Sequence, residues 1–150
     1  MSAETFEPTR GTGDHTRRPS KKIRDHRDLR VWRKARRLGE LCREAAAGFP
    51  ADQNPLATIL SRLADEDADE IATGQGQRDY PAYAEHLKRA RQALHHLDRR
   101  LIEAHQKAGL SAVIGDSLLA RVAEINRMLG KLMLSLELAN ARNRRRRRGG

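Results

Sequence analysis

Four histidines, His86, His95, His96 and His105, fall within 20 residues of one another, a density that raises metal binding or acid–base work as the first question. A metal centre inside a helical bundle draws on inward-facing Glu-x-x-His pairs. The chain contains none, and no two of these histidines are four residues apart, so they form a poor ligand set and read as solvated or partly packed imidazoles. Cys42 is the one thiol, which excludes a disulfide framework and a cysteine-based zinc site within a single chain. It falls on an apolar face with no His patterned to activate it, so a small core residue is expected and a nucleophile is not. Gly74-Gln75-Gly76 lacks the third glycine of a dinucleotide loop and follows no strand; a helix-ending turn explains it. The expectation is a protein without catalytic residues, cofactor or metal.

Charge is the chemistry the sequence does supply. The 150 residues carry 30 Lys and Arg against 20 Asp and Glu, a formal net charge of +10. Residues 1–27 hold a net +3 and residues 142–150 a net +6, leaving 28–141 almost neutral. Arg142 and Arg144, Arg145, Arg146, Arg147 and Arg148 place six fixed charges near the C-terminus. Such a segment gains affinity for nucleic acid by releasing condensed counterions, with a steep salt dependence and no base discrimination of its own. A second basic stripe, Arg30, Arg33, Lys34 and Arg37, lies opposite the apolar side of the first helix. It serves as a solubilising surface or, through the planar guanidinium fork, as a phosphate contact. Asp65, Glu66, Asp67, Asp69 and Glu70 form an acidic knot. Its i,i+4 like-charge pairs are mildly unfavourable alone, and three readings stand: a solvated face, a basic partner, a divalent ion.

The elements that must position these groups are helices. Only five aromatics occur (Phe6, Trp32, Phe49, Tyr80 and Tyr83), too few for a sandwich or barrel, whereas Ala, Leu, Arg and Glu abound. Such scarcity also argues against an aromatic surface for reading bases. No apolar run approaches the roughly 20 residues of a membrane span, and residues 1–18 lack the apolar stretch of a secretory signal. A cytoplasmic protein is expected. The first helix is expected to start at Asp28 as cap and to bury Val31, Ala35, Leu38, Cys42 and Ala45, stopping near Gly48. Asn54-Pro55 opens a second helix, whose apolar side runs from Leu56 to Ile71 and which Gly74 to Gly76 closes. Tyr83, Leu87, Ala90, Leu94, Leu97, Leu101, Ala104 and Ala108 alternate steps of four and three, the seam of a bundle. Gly109 ends that helix; Ser111 or Asp116 starts the next, and Leu118, Val122, Ile125, Leu129, Leu132 and Leu136 repeat the rhythm. Short connections favour antiparallel neighbours. The expected fold is all-α: an antiparallel up-down-up-down four-helix bundle over 28–141, with disordered basic tails at 1–27 and 142–150.

Asp28-Leu29-Arg30-Val31-Trp32-Arg33-Lys34-Ala35, followed by Phe49-Pro50, resembles the opening of the four-helix bundle family first noticed in intervening sequences of bacterial large-subunit ribosomal RNA genes. Ile71 to Gly76 is similar to that family's Ile-Ala-Glu-Gly-x-Gly turn, and Glu124 to Leu132 to its last helix. Thr73 stands where the family usually has Glu, and Gln77 where it usually has Arg, so no family role passes to either position. The same fold includes the accessory variability determinant of diversity-generating retroelements, which assists a reverse transcriptase and binds nucleic acid. The resemblance implies a non-enzymatic homopentameric ring.

Trp32, with Gly39 and Ala46 following at seven-residue steps, suggests a large ring beside a shallow groove, the makings of a subunit contact or of burial within the monomer. A ring needs two different patches to meet, and the basic stripe and the acidic knot, with Asp65 and Asp69, are candidates for them. The expected function is therefore a non-catalytic, ring-forming bundle that binds RNA or DNA, with an accessory subunit of a retroelement reverse transcriptase as its specific form. A structural adaptor whose basic tail docks an acidic protein is the competing reading.

Overall fold

The computed structural model describes residues 29–149. Four α-helices and one short 3-10 turn, Ala51–Gln53, make up the fold, with no strand among the described residues. Helix α1 spans Arg30–Ala46, α2 Asn54–Gln75, α3 Tyr80–Lys107 and α4 Ala112–Gly149. Each packs against two neighbours: α1 against α2 and α4, α3 against α2 and α4. The core runs down the middle of this bundle, and the periodic positions fill it. Leu38, Leu60, Ile71, Leu87, Leu94, Leu97, Leu101, Ile125 and Leu129 are its largest fully buried apolar chains.

Helix ends follow local chemistry, with some shifts. Asp28 lies outside the described residues, as does the expected tail 1–27; Leu29, extended at φ −77° and ψ 122°, occupies the cap of α1 without a side-chain hydrogen bond. Asn54 is the first residue of α2, so the proline at 55 still sits in the first turn, where its missing N–H costs nothing. The Asp79 carboxylate accepts the Ala82 N–H at 2.9 Å and caps α3, which starts at Tyr80, three residues before the apolar pattern begins at Tyr83. Gly109, at φ +75°, ends the α3 capping turn in the left-handed region where a side chain is strained, and Ser111 Oγ accepts the Ile114 N–H to start α4.

Two positions differ from the sequence expectation. The second helix runs through Gly74 to Gln75, because Gly74 is an interior contact: a Cβ there would stand 3.0 Å from His86 Cβ and from Tyr83 Cδ1. At the other end of the chain, 142–149 continues α4 as helix, where a disordered tail was expected. Arginine is a good helix former, and no proline or glycine interrupts the chain between Gly130 and Gly149.

That length sets up the functional geometry. At 1.5 Å per residue α4 reaches about 57 Å, against about 42 Å for α3 and about 26 Å for α1. Its last fully buried side chain is Leu129. Leu132, Met133 and Leu136 are half-buried, whereas Leu134 and Leu138 are 56% and 52% exposed. Beyond them the helix carries arginines alongside the α2–α3 turn.

Candidate functional site

The densest functional chemistry lies where α4 leaves the bundle. The stripe that buries Leu118, Val122, Ile125 and Leu129 continues, at about 3.6 residues per turn, through Leu136 to Asn140, Arg144 and Arg147. The core seam thus turns from leucine to asparagine and arginine where it runs out of neighbours to pack against. Helix α3 lies alongside this segment: Arg91 Nε donates to Asn126 Oδ1 at 3.4 Å, and nearer the end Tyr80 and Pro81 face Asn140 and Arg144. The α2–α3 turn closes one side. Between them runs an open groove of about 820 Å³, lined in part by Tyr80, Pro81 and Leu136. Arg78, Arg144, Arg147 and Arg148 line the same groove. Among the described residues none of these four arginines pairs with a carboxylate. The one acid at the groove, Asp79, is committed to capping α3.

The predicted arginine segment is thereby divided. Arg144, Arg147 and Arg148 line the groove, whereas Arg142, Arg145 and Arg146 cluster together elsewhere on the helix. Arg146 donates to Asn143 Oδ1 at 2.7 Å, a bond within one turn of helix.

The basic stripe of α1 is partly neutralised. Lys34 Nζ stands 3.2 Å from Glu124 of α4, and Arg37 donates to Glu40 at 2.9 Å. Arg30 and Arg33 are exposed. Trp32 is half-buried against the core, with the Arg36 guanidinium 5.3 Å from its ring centroid, a cation–π arrangement. Gly39 and Ala46 are both buried. A Cβ at Gly39 would come within 2.8 Å of Asp65 Oδ1, so the groove expected beside Trp32 is taken up at this point by the chain's own α2.

The acidic knot dissolves into five different environments. Asp65 accepts from Arg43 of α1 at 2.5 Å, Glu66 lies 3.6 Å from Arg62, and Glu70 accepts from His86 Nδ1 at 2.7 Å. Asp69 is exposed. Asp67 is 0% exposed, and neither carboxyl oxygen has a side-chain hydrogen-bond partner among the described residues. Burial pushes its pKa well above the usual carboxylate range, and the neighbouring Asp65 adds to the rise; the helix amides offset only part of it. No group of three or more His, Cys, Asp or Glu among the described residues could hold a metal ion.

Cys42 is buried on α1, and burial, reinforced by Asp67 and Asp65, raises its thiol to about 12. It is a core group with little thiolate at neutral pH. Tyr83 donates to Gln75 Oε1 at 2.8 Å, and burial raises its phenol to about 12.

Three features escaped the sequence reading. Asp67 had a visible signal: Leu60, Ala64, Asp67, Ile71 and Gly74 follow steps of four and three, so the aspartate sits on the apolar seam. Arg78 and Tyr80 had none, because their partners on α4 lie more than 50 residues away in the chain. The sequence matches no protein-family model and no curated protein.

Proposed function

We propose that this protein is a non-catalytic nucleic-acid-binding bundle that engages RNA or DNA through the arginines at the end of α4. The observation that carries the reading is the arginine segment itself. Six guanidinium groups project from a helix that has left the core, and no carboxylate among the described residues neutralises them. Held on a helix at fixed spacing, they present two sets of hydrogen-bond donors to phosphate oxygens. The helices alternate in direction in this reading, up-down-up-down. Glu70 meets His86 across α2 and α3, Arg91 meets Asn126 across α3 and α4, and residues 47–53 join α1 to α2. Copies assemble into a ring, a pentamer by the family resemblance. Exposed apolar side chains flanking the α3–α4 turn (Ile102, Val113 and Ile114) give such contacts material to bury. A cytoplasmic accessory subunit of a retroelement reverse transcriptase is the specific form of the proposal.

Truncation after Ala141 tests it. The full chain should bind RNA or DNA at low salt, and the truncated chain should lose most of that affinity. The log–log salt slope on single strands should fall by up to about 4, about 0.7 for each of six charges. If the full chain binds neither RNA nor DNA at low salt, the reading gives way to docking on an acidic protein. Light scattering tests the ring: a mass of 16.9 kDa per particle removes it.

A further inference from the structure

We infer that the groove between the α2–α3 turn and the end of α4 is a binding site for single-stranded nucleic acid, with Tyr80 as a stacking surface for a base and Arg78, Arg144, Arg147 and Arg148 as phosphate contacts. This rests on the nucleic-acid reading above and adds to it the strand state of the ligand and the residues that select it.

The groove combines two features that the arginine segment alone lacks. Its lining joins apolar and aromatic residues, Tyr80, Pro81 and Leu136, to arginines from two elements, α4 and the α2–α3 turn. A free phosphate or a phosphorylated side chain would use the arginines and leave the apolar lining bare. A duplex offers phosphates while its base faces stay stacked on one another. A strand with unstacked bases presents a flat apolar face beside each phosphate, and its successive phosphates suit four arginines spread over two elements, which a single free nucleotide would leave largely unused.

The two tyrosines are not equivalent. Tyr83 is committed to Gln75 and lies deeper. Tyr80 is partly exposed, lines this groove and the adjoining one along α3 and α4, and makes no hydrogen bond among the described residues. Asn140 lines both grooves as well, and its amide offers a donor and an acceptor to a base edge. Charge is complementary in this groove: four arginines without a carboxylate partner among the described residues line it, and its single carboxylate is engaged in a helix cap, whereas Glu85 and Glu137 lie on the adjoining one.

The division of the arginines supplies an internal control. Arg144, Arg147 and Arg148 face the groove; Arg142, Arg145 and Arg146 do not, although they carry the same charge on the same helix. The experiment measures binding of the full chain to a fluorescein-labelled oligouridine and to an RNA duplex of equal length, at one low salt concentration. Replacing the groove-facing trio by glutamine should weaken single-strand binding about tenfold more than replacing the other trio. Y80L should weaken single-strand binding about fivefold or more while leaving the duplex unchanged, and Y80F should restore it, since either ring can stack. All six arginine positions are exposed, so those variants test the site even if Y80L fails to fold. Equal losses from the two trios, or wild-type preference for the duplex, overturn the groove while leaving the arginine segment as a binder. Absence of binding to both probes removes the underlying reading instead.

Discussion

Helix α4 is one continuous element with two unlike halves. From Ala112 to Leu129 it drives Leu118, Val122, Ile125 and Leu129 into the core; from Gly130 to Gly149 it buries no side chain fully and ends in arginine. Helical continuity and helical anchoring thus have different causes. Continuity follows from local propensity, which Leu, Ala, Glu and Arg all supply. Anchoring follows from apolar surface removed from water, which only the first half has. The second half is held in place by the first and by α3 alongside it. It tolerates a charge density that would be ruinous in the core.

The sharpest way to break that contrast is to remove the same side chain from each half. Leu129→Ala should cost about 2–5 kcal/mol, as expected for a fully buried leucine, read as a drop in Tm or denaturation midpoint. Leu138→Ala, at a half-exposed position, should stay within about 0.5 kcal/mol. A comparable loss at Leu138 would mean that another surface, such as a second copy, covers the distal half.

A smaller effect tests the same contrast from the side of charge. The arginines keep their hydration, whereas Asp67 has lost its own without gaining a side-chain partner among the described residues. Its native pKa is raised above the ordinary 3.8, so the folded chain holds a proton that the unfolded chain releases. Stability should therefore decline as pH rises above that ordinary value, until the native carboxyl itself ionises. Asp67→Asn, neutral at every pH, should flatten this slope. Its stability relative to the wild type should rise as pH climbs above the ordinary carboxylate value, read as a growing difference in Tm. An unchanged slope in the variant would place the titration elsewhere.

Cys42 gives the mildest test. Folded protein should resist alkylation by iodoacetamide at neutral pH, and unfolded protein should react at the rate of a free thiol. Rapid labelling of the native chain would mean that α1 opens from α2 far more easily than its packing suggests.

Much of the scaffold was legible beforehand. The apolar stripe of α3 is buried from Leu87 to Ala108, and Gly109 ends the helix in the left-handed conformation that only glycine adopts freely. Those features depend on periodicity and backbone sterics, which neighbours in sequence decide. The candidate site was half legible. Its arginines stood out by composition, but their division into a groove-facing set and an outward set depends on where α3 and the α2–α3 turn cross α4. The pairing within the basic stripe of α1 was illegible for the same reason: Lys34 meets Glu124 only because α1 lies beside α4.

The sequence by itself determined that the chain is helical, where the seam of each helix lies and at which end the positive charge gathers. These are properties of a residue and its neighbours within a turn or two. Only the tertiary structure decided that Tyr80 and Arg78 share a groove with Arg144, that Asp67 is sealed inside, and that Gly74 is a contact rather than a terminus. Each of these depends on a second helix arriving at a particular height and angle. The packing of the whole core sets that arrival, and no local pattern encodes it.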